Sequence, residues 1–66
     1  MKPICENVKV KLTGKDGNSM FIISRVAEAM KRAKVEKETI YEFIKEAMDG
    51  DYDNVLRTCL KYVEVS

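Results

Sequence analysis

Three stretches of this chain hold residues whose types and spacing could do chemistry. The first is Gly14-Lys15-Asp16-Gly17-Asn18-Ser19. Two glycines ahead of a helix start can offer free backbone N–H groups to a phosphate, and the helix macrodipole favours negative charge there. Lys15 would add a charge and Ser19 a hydroxyl. The spacing is neither the Gly-x-x-x-x-Gly-Lys-Ser/Thr loop nor the three-glycine dinucleotide fingerprint. Asp16 repels phosphate unless it turns away. A turn followed by a helix cap explains the same residues, and an anion site is the sharper reading. The second stretch is Asp49-Gly50-Asp51-Tyr52-Asp53. A calcium loop needs Gly at its sixth position and Glu at its twelfth. Counting from Asp49, those positions hold Asn54 and Leu60. The run therefore reads as a helix stop and a helix cap. The third is Glu38, Glu42 and Glu46, four residues apart on one helix face. Paired carboxylates can do acid–base work or hold a divalent metal. A solvated face is the simpler reading, with Lys37 and Lys45 close enough to neutralise part of it.

Composition narrows the chemistry further. The chain has 66 residues and no His. That removes the commonest general base, the commonest metal ligand and every Ser-His or Cys-His pair. Two cysteines cannot make a disulfide scaffold or a four-thiolate zinc site. Cys5 and Cys59 are expected to act as small hydrophobes or tolerated surface thiols in a reducing, cytoplasmic setting. No catalytic residue, no metal set and no cofactor is expected. No run approaches the roughly 18 apolar residues of a membrane span, and, with no apolar run after Met1-Lys2-Pro3, no secretory signal is expected. An apolar share of 45% with a net charge of +1 excludes an intrinsically disordered chain.

The elements that must position these residues follow from periodicity. Val8, Val10 and Leu12 alternate with Lys9, Lys11 and Thr13, which predicts a strand over residues 4–13 with one buried face. Asn18 or Ser19 can cap a helix running to residue 33. Its stripe is Ile22 or Ile23, Val26, Met30 and Ala33, with a Glu28–Arg32 pair on the other face. A joint near Lys34-Val35 leads to a second helix over 36–48, with Ile40, Phe43, Ile44, Ala47 and Met48 inward. Gly50 suits the left-handed position that ends it. Asp51 caps a third helix over 52–61, with Val55, Leu56, Cys59 and Leu60 inward. Asp51 and Asp53 also set negative charge at its positive end. Val63 and Val65 alternate with Glu64 and Ser66 as a short closing strand. The expectation is one α+β domain over residues 1–66, a small β-α-α-α-β fold whose two terminal strands pack with three helices.

A domain this small buries only roughly 60% of its unfolded surface, and two strands leave two open edges. Edge-to-edge pairing of protomers would make a four-stranded sheet, so a homo-oligomer is expected. Lys2, Pro3, Lys9 and Lys11 argue against it, because such residues blunt an edge.

Charge is segregated along the chain. Residues 1–34 hold eight basic and three acidic groups, net +5, and residues 35–66 hold four and eight, net −4. The halves either complement each other, within or between subunits, or the basic half presents Lys9, Lys11, Lys15, Arg25, Lys31, Arg32 and Lys34 to an anion. Nucleic acid is the less favoured partner. A recognition helix needs basic and amide residues near its start, and the second helix opens Glu36-Lys37-Glu38. The sequence pI near 7.7 is low for a nucleic-acid domain. Met20, Met30 and Met48 fall on apolar stripes and are expected in the core. Tyr52, at a helix start between two aspartates, could stack on a base, anchor a partner or pack on the second helix.

Residues 10–21, residues 46–57 and the ending Tyr62-Val63-Glu64-Val65 resemble a family of small uncharacterised proteins of bacteriophages and of bacterial genomes with prophage-like sequence. The specific elements are Asp16-Gly17-Asn18 and Gly50-Asp51-Tyr52-Asp53, with Arg57. The chain departs from the family at Asn54 and Tyr62, where members often carry His or Trp. The resemblance implies a phage or mobile-element origin and action by binding. The expected function is thus a non-enzymatic binding protein that binds or inhibits a host component, with counter-defence as its setting and sequestration of a phosphorylated nucleotide signal as one form. The alternative is a nucleic-acid-associated phage regulator. The candidate ligand-binding residues are Lys15, Asn18, Ser19, Arg25 and Tyr52, and the expected partner is a host protein or small anionic ligand, with no membrane involved.

Overall fold

The computed structural model describes residues 3–11 and 19–65. The elements run β1 (Cys5–Val10), α1 (Ser19–Arg32), α2 (Lys37–Ala47), α3 (Tyr52–Tyr62) and β2 (Val63–Val65). This is the expected α+β arrangement. The ends of the predicted first strand fall differently: Ile4 lies outside β1 and is exposed, and Leu12 and Thr13 lie outside the described residues.

The two strands pair in parallel, with Cys5 opposite Val63, Lys9 opposite Glu64 and Val10 opposite Val65. Three β1 residues, Glu6 to Val8, stand between register partners that are adjacent on β2, so the ladder is irregular there. The Ile4 N–H extends the contact by donating to the Lys61 carbonyl at 3.0 Å. A parallel pair cannot be joined by a hairpin and requires a long crossover; the three helices supply it.

The core forms where the three helices meet the inner face of the strands. Its largest fully buried side chains are Phe43, Met30, Val26, Val63, Thr58 and Cys59. Val8 and Val10 are buried while Lys9 and Lys11 are exposed, as a period of two requires. On α1, Ile22 and Ile23 are both inside with Val26 and Met30, and Ala33 packs at the margin. The Phe43 and Tyr62 rings meet edge to face, their centroids 5.5 Å apart.

Three expected core residues are outside. Leu60 is 61% exposed. The buried face of α3 is Val55, Thr58, Cys59 and Tyr62, at i, i+3, i+4 and i+7. Leu60 lies one residue, about 100°, beyond that face. Thr58 takes an inward place because its hydroxyl donates to the Asn54 carbonyl at 2.7 Å, leaving no unsatisfied polar atom. Met48 is the C-cap of α2, where the chain turns away. Met20 stands in the first turn of α1, beyond the reach of the stripe that begins at Ile22. Both are more than half exposed.

The joint between α1 and α2 is a Schellman-type stop. The Val35 N–H donates to the Met30 carbonyl and the Lys34 N–H to the Lys31 carbonyl, each at 3.0 Å. Lys34 holds φ +63°, the left-handed conformation that a side chain disfavours. Lys34→Gly is therefore expected to stabilise the fold by about 0.5–1 kcal/mol, the released strain outweighing the loss of a cation at the helix end. Urea denaturation checks the sign.

Candidate functional site

The motif Gly50-Asp51-Tyr52-Asp53-Asn54 is a joint between α2 and α3, and each residue has a local task. The Asp51 carboxylate accepts from the Asn54 N–H at 3.0 Å and so caps α3. The Asn54 side-chain amide donates to the Glu46 carbonyl at 2.8 Å and to the Asp49 carbonyl at 3.0 Å, clamping the end of α2. Gly50 holds φ +144°, and a Cβ there would lie 3.0 Å from the Asn54 Cβ. Gly50→Ala is expected to cost about 1–3 kcal/mol through backbone strain alone, lowering Tm by roughly 4–8 °C per kcal/mol in a chain of this size. Displacing the Asn54 clamp would add to that. A thermal melt followed by circular dichroism reads it.

Ser19 and Tyr52 are brought together. The start of α1 and the start of α3 line one concavity of about 240 Å³, with Met20, Ile23, Met48 and Asp51 around it. Two helix N-termini thus face the same space. Apart from the Ser19 and Tyr52 hydroxyls its described lining is apolar or acidic, with no basic side chain. Lys15 and Asn18 lie outside the described residues. Arg25 is not part of this concavity and lines a different groove.

That second groove, of about 550 Å³, runs between β1 and α1. Asn7 to Lys11 form one wall, and Arg25, Glu28, Ala29, Arg32 and Ala33 the other. The α1 residues recur at three and four, which places them on one helical face. Four cations, Lys9, Lys11, Arg25 and Arg32, face one carboxylate, Glu28. Arg32 is bonded to Glu28 at 3.2 Å, an exposed i,i+4 pair. Lys9 stands 3.9 Å from Glu64, also exposed. Such pairs stabilise by well under 1 kcal/mol and exchange readily. Lys11 and Arg25 have no carboxylate partner among the described residues. The sequence names all four cations as part of a basic half. It does not bring them to one groove, and it misses Asn7, Ala29 and Ala33. The available signal was the pair of alanines four apart beside the apolar stripe, which leaves a helix flank low enough to form a groove floor.

The glutamate row has become structural in part. Both Glu46 carboxylate oxygens accept from the Lys61 ammonium at 3.1 Å. That bond and its charge hold the Lys61 ammonium above its ordinary pKa. Glu42, Lys45, Glu46, Met48, Asp49 and Tyr62 border a shallow concavity of about 730 Å³. Among the described residues no group of three or more His, Cys, Asp or Glu is placed to hold a metal ion.

Both thiols are buried and unbridged. Burial pushes the Cys5 thiol above its ordinary value and the Cys59 thiol up to about 11 from 9.0. Below pH 9 folded and unfolded chains both keep the Cys59 proton, so the group adds no pH dependence. Between 9 and 11 the unfolded chain loses a proton that the folded chain retains, so stability is expected to fall as pH rises through that window. Tyr62, raised by burial and by Glu46, acts in the same direction. Urea midpoints across this range should fall more steeply for the wild type than for Cys59→Ala, even though that variant starts lower at neutral pH.

Among known proteins, no family model, no curated protein and no solved structure matches this chain.

Proposed function

We propose that this protein is a non-enzymatic binding protein, of phage or mobile-element origin, that engages an anionic host component through the groove between β1 and α1. One observation carries the reading: four cations converge on one groove with a single carboxylate among them, and two of the four have no carboxylate partner among the described residues. Leaving such an excess of like charge side by side is unfavourable within the fold. An anionic ligand relieves it. The groove volume lies in the range of roughly 300–1,000 Å³ that accommodates small ligands, so a phosphorylated nucleotide and an acidic segment of a host protein are both of the right size. Capture of either would serve inhibition or counter-defence without chemistry. The phage or mobile-element origin is an expectation that follows from the sequence reading of residues 10–21, 46–57 and 62–65. Self-association belongs to the proposal as well: in a two-stranded sheet β2 too has an edge without a strand partner among the described residues.

The test is a titration at low salt with separate anionic probes: nucleoside triphosphates, a cyclic dinucleotide, an acidic peptide and a single-stranded oligonucleotide. Saturable binding of one probe, displaced by the others, is expected. An affinity that falls with a log–log salt slope of several units would instead point to a nucleic-acid regulator, because released counterions drive such binding. Absence of binding by every anionic probe would remove the proposal.

A further inference from the structure

The walls of the β1–α1 groove imply how its ligand is held. Five consecutive residues, Asn7 to Lys11, line it. Val8 and Val10 turn their side chains into the core, while Asn7, Lys9 and Lys11 turn theirs to solvent. Alternate residues of a strand point to opposite faces. A groove bordered by residues of both faces runs along an edge of the strand. No β2 residue lines the groove, so it follows the edge facing away from β2. Along that edge the N–H and C=O groups of β1 have no backbone partner among the described residues. An open edge of this kind is a template for another strand.

We propose that the groove receives an extended acidic segment of another protein, which adds as a third strand beside β1 and lies against α1. This rests on the basic groove being the binding site. Main-chain hydrogen bonds to β1 would supply affinity, and pockets for alternate side chains would supply specificity. The accessible edge, residues 7–11, spans roughly 16 Å at about 3.3 Å per residue, enough to pair a short strand. On the side facing α1, Ala29 and Ala33 are small and half-buried, so they leave room for side chains of the incoming strand. Arg25 and Arg32 stand on the same helical face, within the reach of carboxylates on that strand, and planar guanidinium groups can hold carboxylates through two parallel hydrogen bonds. Lys9 and Lys11 lie along the strand wall. A second copy of this chain is a poor occupant for the same edge. Pairing β1 with β1 would set two sets of these cations against each other, and like charges across a strand pair are destabilising.

The probe is a capped hexapeptide of alternating Glu and Val, followed by two-dimensional NMR of the labelled full chain. Shifts are expected at residues 7–11 and 25–33, with slowed hydrogen exchange at alternate β1 amides. Two further peptides carry backbone N-methyl groups, one at the odd positions and one at the even. Only alternate N–H groups of a strand face a given neighbour. One methylated peptide should therefore lose at least tenfold in affinity while the other binds close to the parent. If both bind like the parent, the contact is electrostatic alone and strand addition is wrong. If the peptide fails to bind but a nucleoside triphosphate binds and shifts the same residues, strand addition falls and the anion groove stands. If no anionic probe binds, both fall.

Discussion

Phe43→Ala is expected to leave the protein largely unfolded, or at the edge of unfolding, at room temperature. Phe43 has no exposed surface and is the largest of the fully buried side chains. It touches Tyr62 edge to face and stands on α2, whose other buried residue is Ala47. Truncating a buried Phe costs about 3–5 kcal/mol, through lost transfer energy and the cavity left behind. At about 0.05–0.15 kcal/mol per residue, 66 residues give roughly 3–10 kcal/mol in total. One substitution thus removes roughly 30% or more of the stability, the edge-to-face contact with Tyr62 being part of that loss. Tyr41→Ala is the control: on the same helix but 75% exposed, it should change stability by no more than about 0.5 kcal/mol. Urea unfolding of the three proteins decides the matter. A Phe43→Ala variant that melts within a few degrees of the wild type would show that α2 is not anchored through this ring.

Arg25→Glu is the second large effect, and it falls on binding. The substitution replaces a cation that has no ion-pair partner among the described residues with an anion, in a groove where Lys9, Lys11 and Arg32 otherwise dominate. A charge-assisted hydrogen bond contributes about 1.5–3 kcal/mol, and the new repulsion adds to its loss. Affinity for any anionic ligand of the groove should drop by roughly 10–100-fold or more. Stability should hardly move, since Arg25 is exposed and its side chain makes no hydrogen bond or ion pair with a described residue; surface substitutions of this kind stay within about 0.5 kcal/mol. The difference between wild type and variant should shrink as salt rises, because exposed charges are screened beyond a Debye length of about 10 Å at 0.1 M. Undiminished binding by Arg25→Glu, with Tm unchanged, would place the ligand elsewhere. The concavity shared by Ser19 and Tyr52 would then be the first place to look.

The contrast between the two predictions follows how the molecule could be read. Features set by neighbours within a turn or two were legible. Asp51 caps the helix behind it, Gly50 takes the positive φ that ends the helix before it, and Glu28 meets Arg32 four residues on. Each depends on backbone geometry that the local residues impose. Alternation around Val8 and Val10 marked the strand and its buried side for the same reason. The inward face of α3 was legible only in part. Val55 and Cys59 were plain, but which flank of that stripe goes in, Leu60 or Thr58 and Tyr62, depends on how far the helix is rotated against α2 and the strands. Hydrophobicity favoured Leu60. Packing chose Thr58, whose hydroxyl is satisfied within its own helix, and Tyr62, whose ring meets Phe43.

The candidate site divides along the same line. Ser19 and Tyr52 lie far apart in sequence, and only the folding of α3 against α1 brings both to one concavity. Arg25 was read with Lys15 and Ser19 because they are near in sequence, yet it lines the groove with Lys9 and Lys11, on the strand that α1 packs beside. By itself the sequence determined the order and type of the elements, the Asp51 cap of α3, and an excess of positive charge in the first half. The tertiary structure alone decided that the strands pair in parallel and which edge of β1 is left without a backbone partner among the described residues. It also decided that this edge lies beside the cations of α1. Caps and periodicities are short-range and act within a few residues. A groove is made by two surfaces, and its position depends on the summed packing of every element between them.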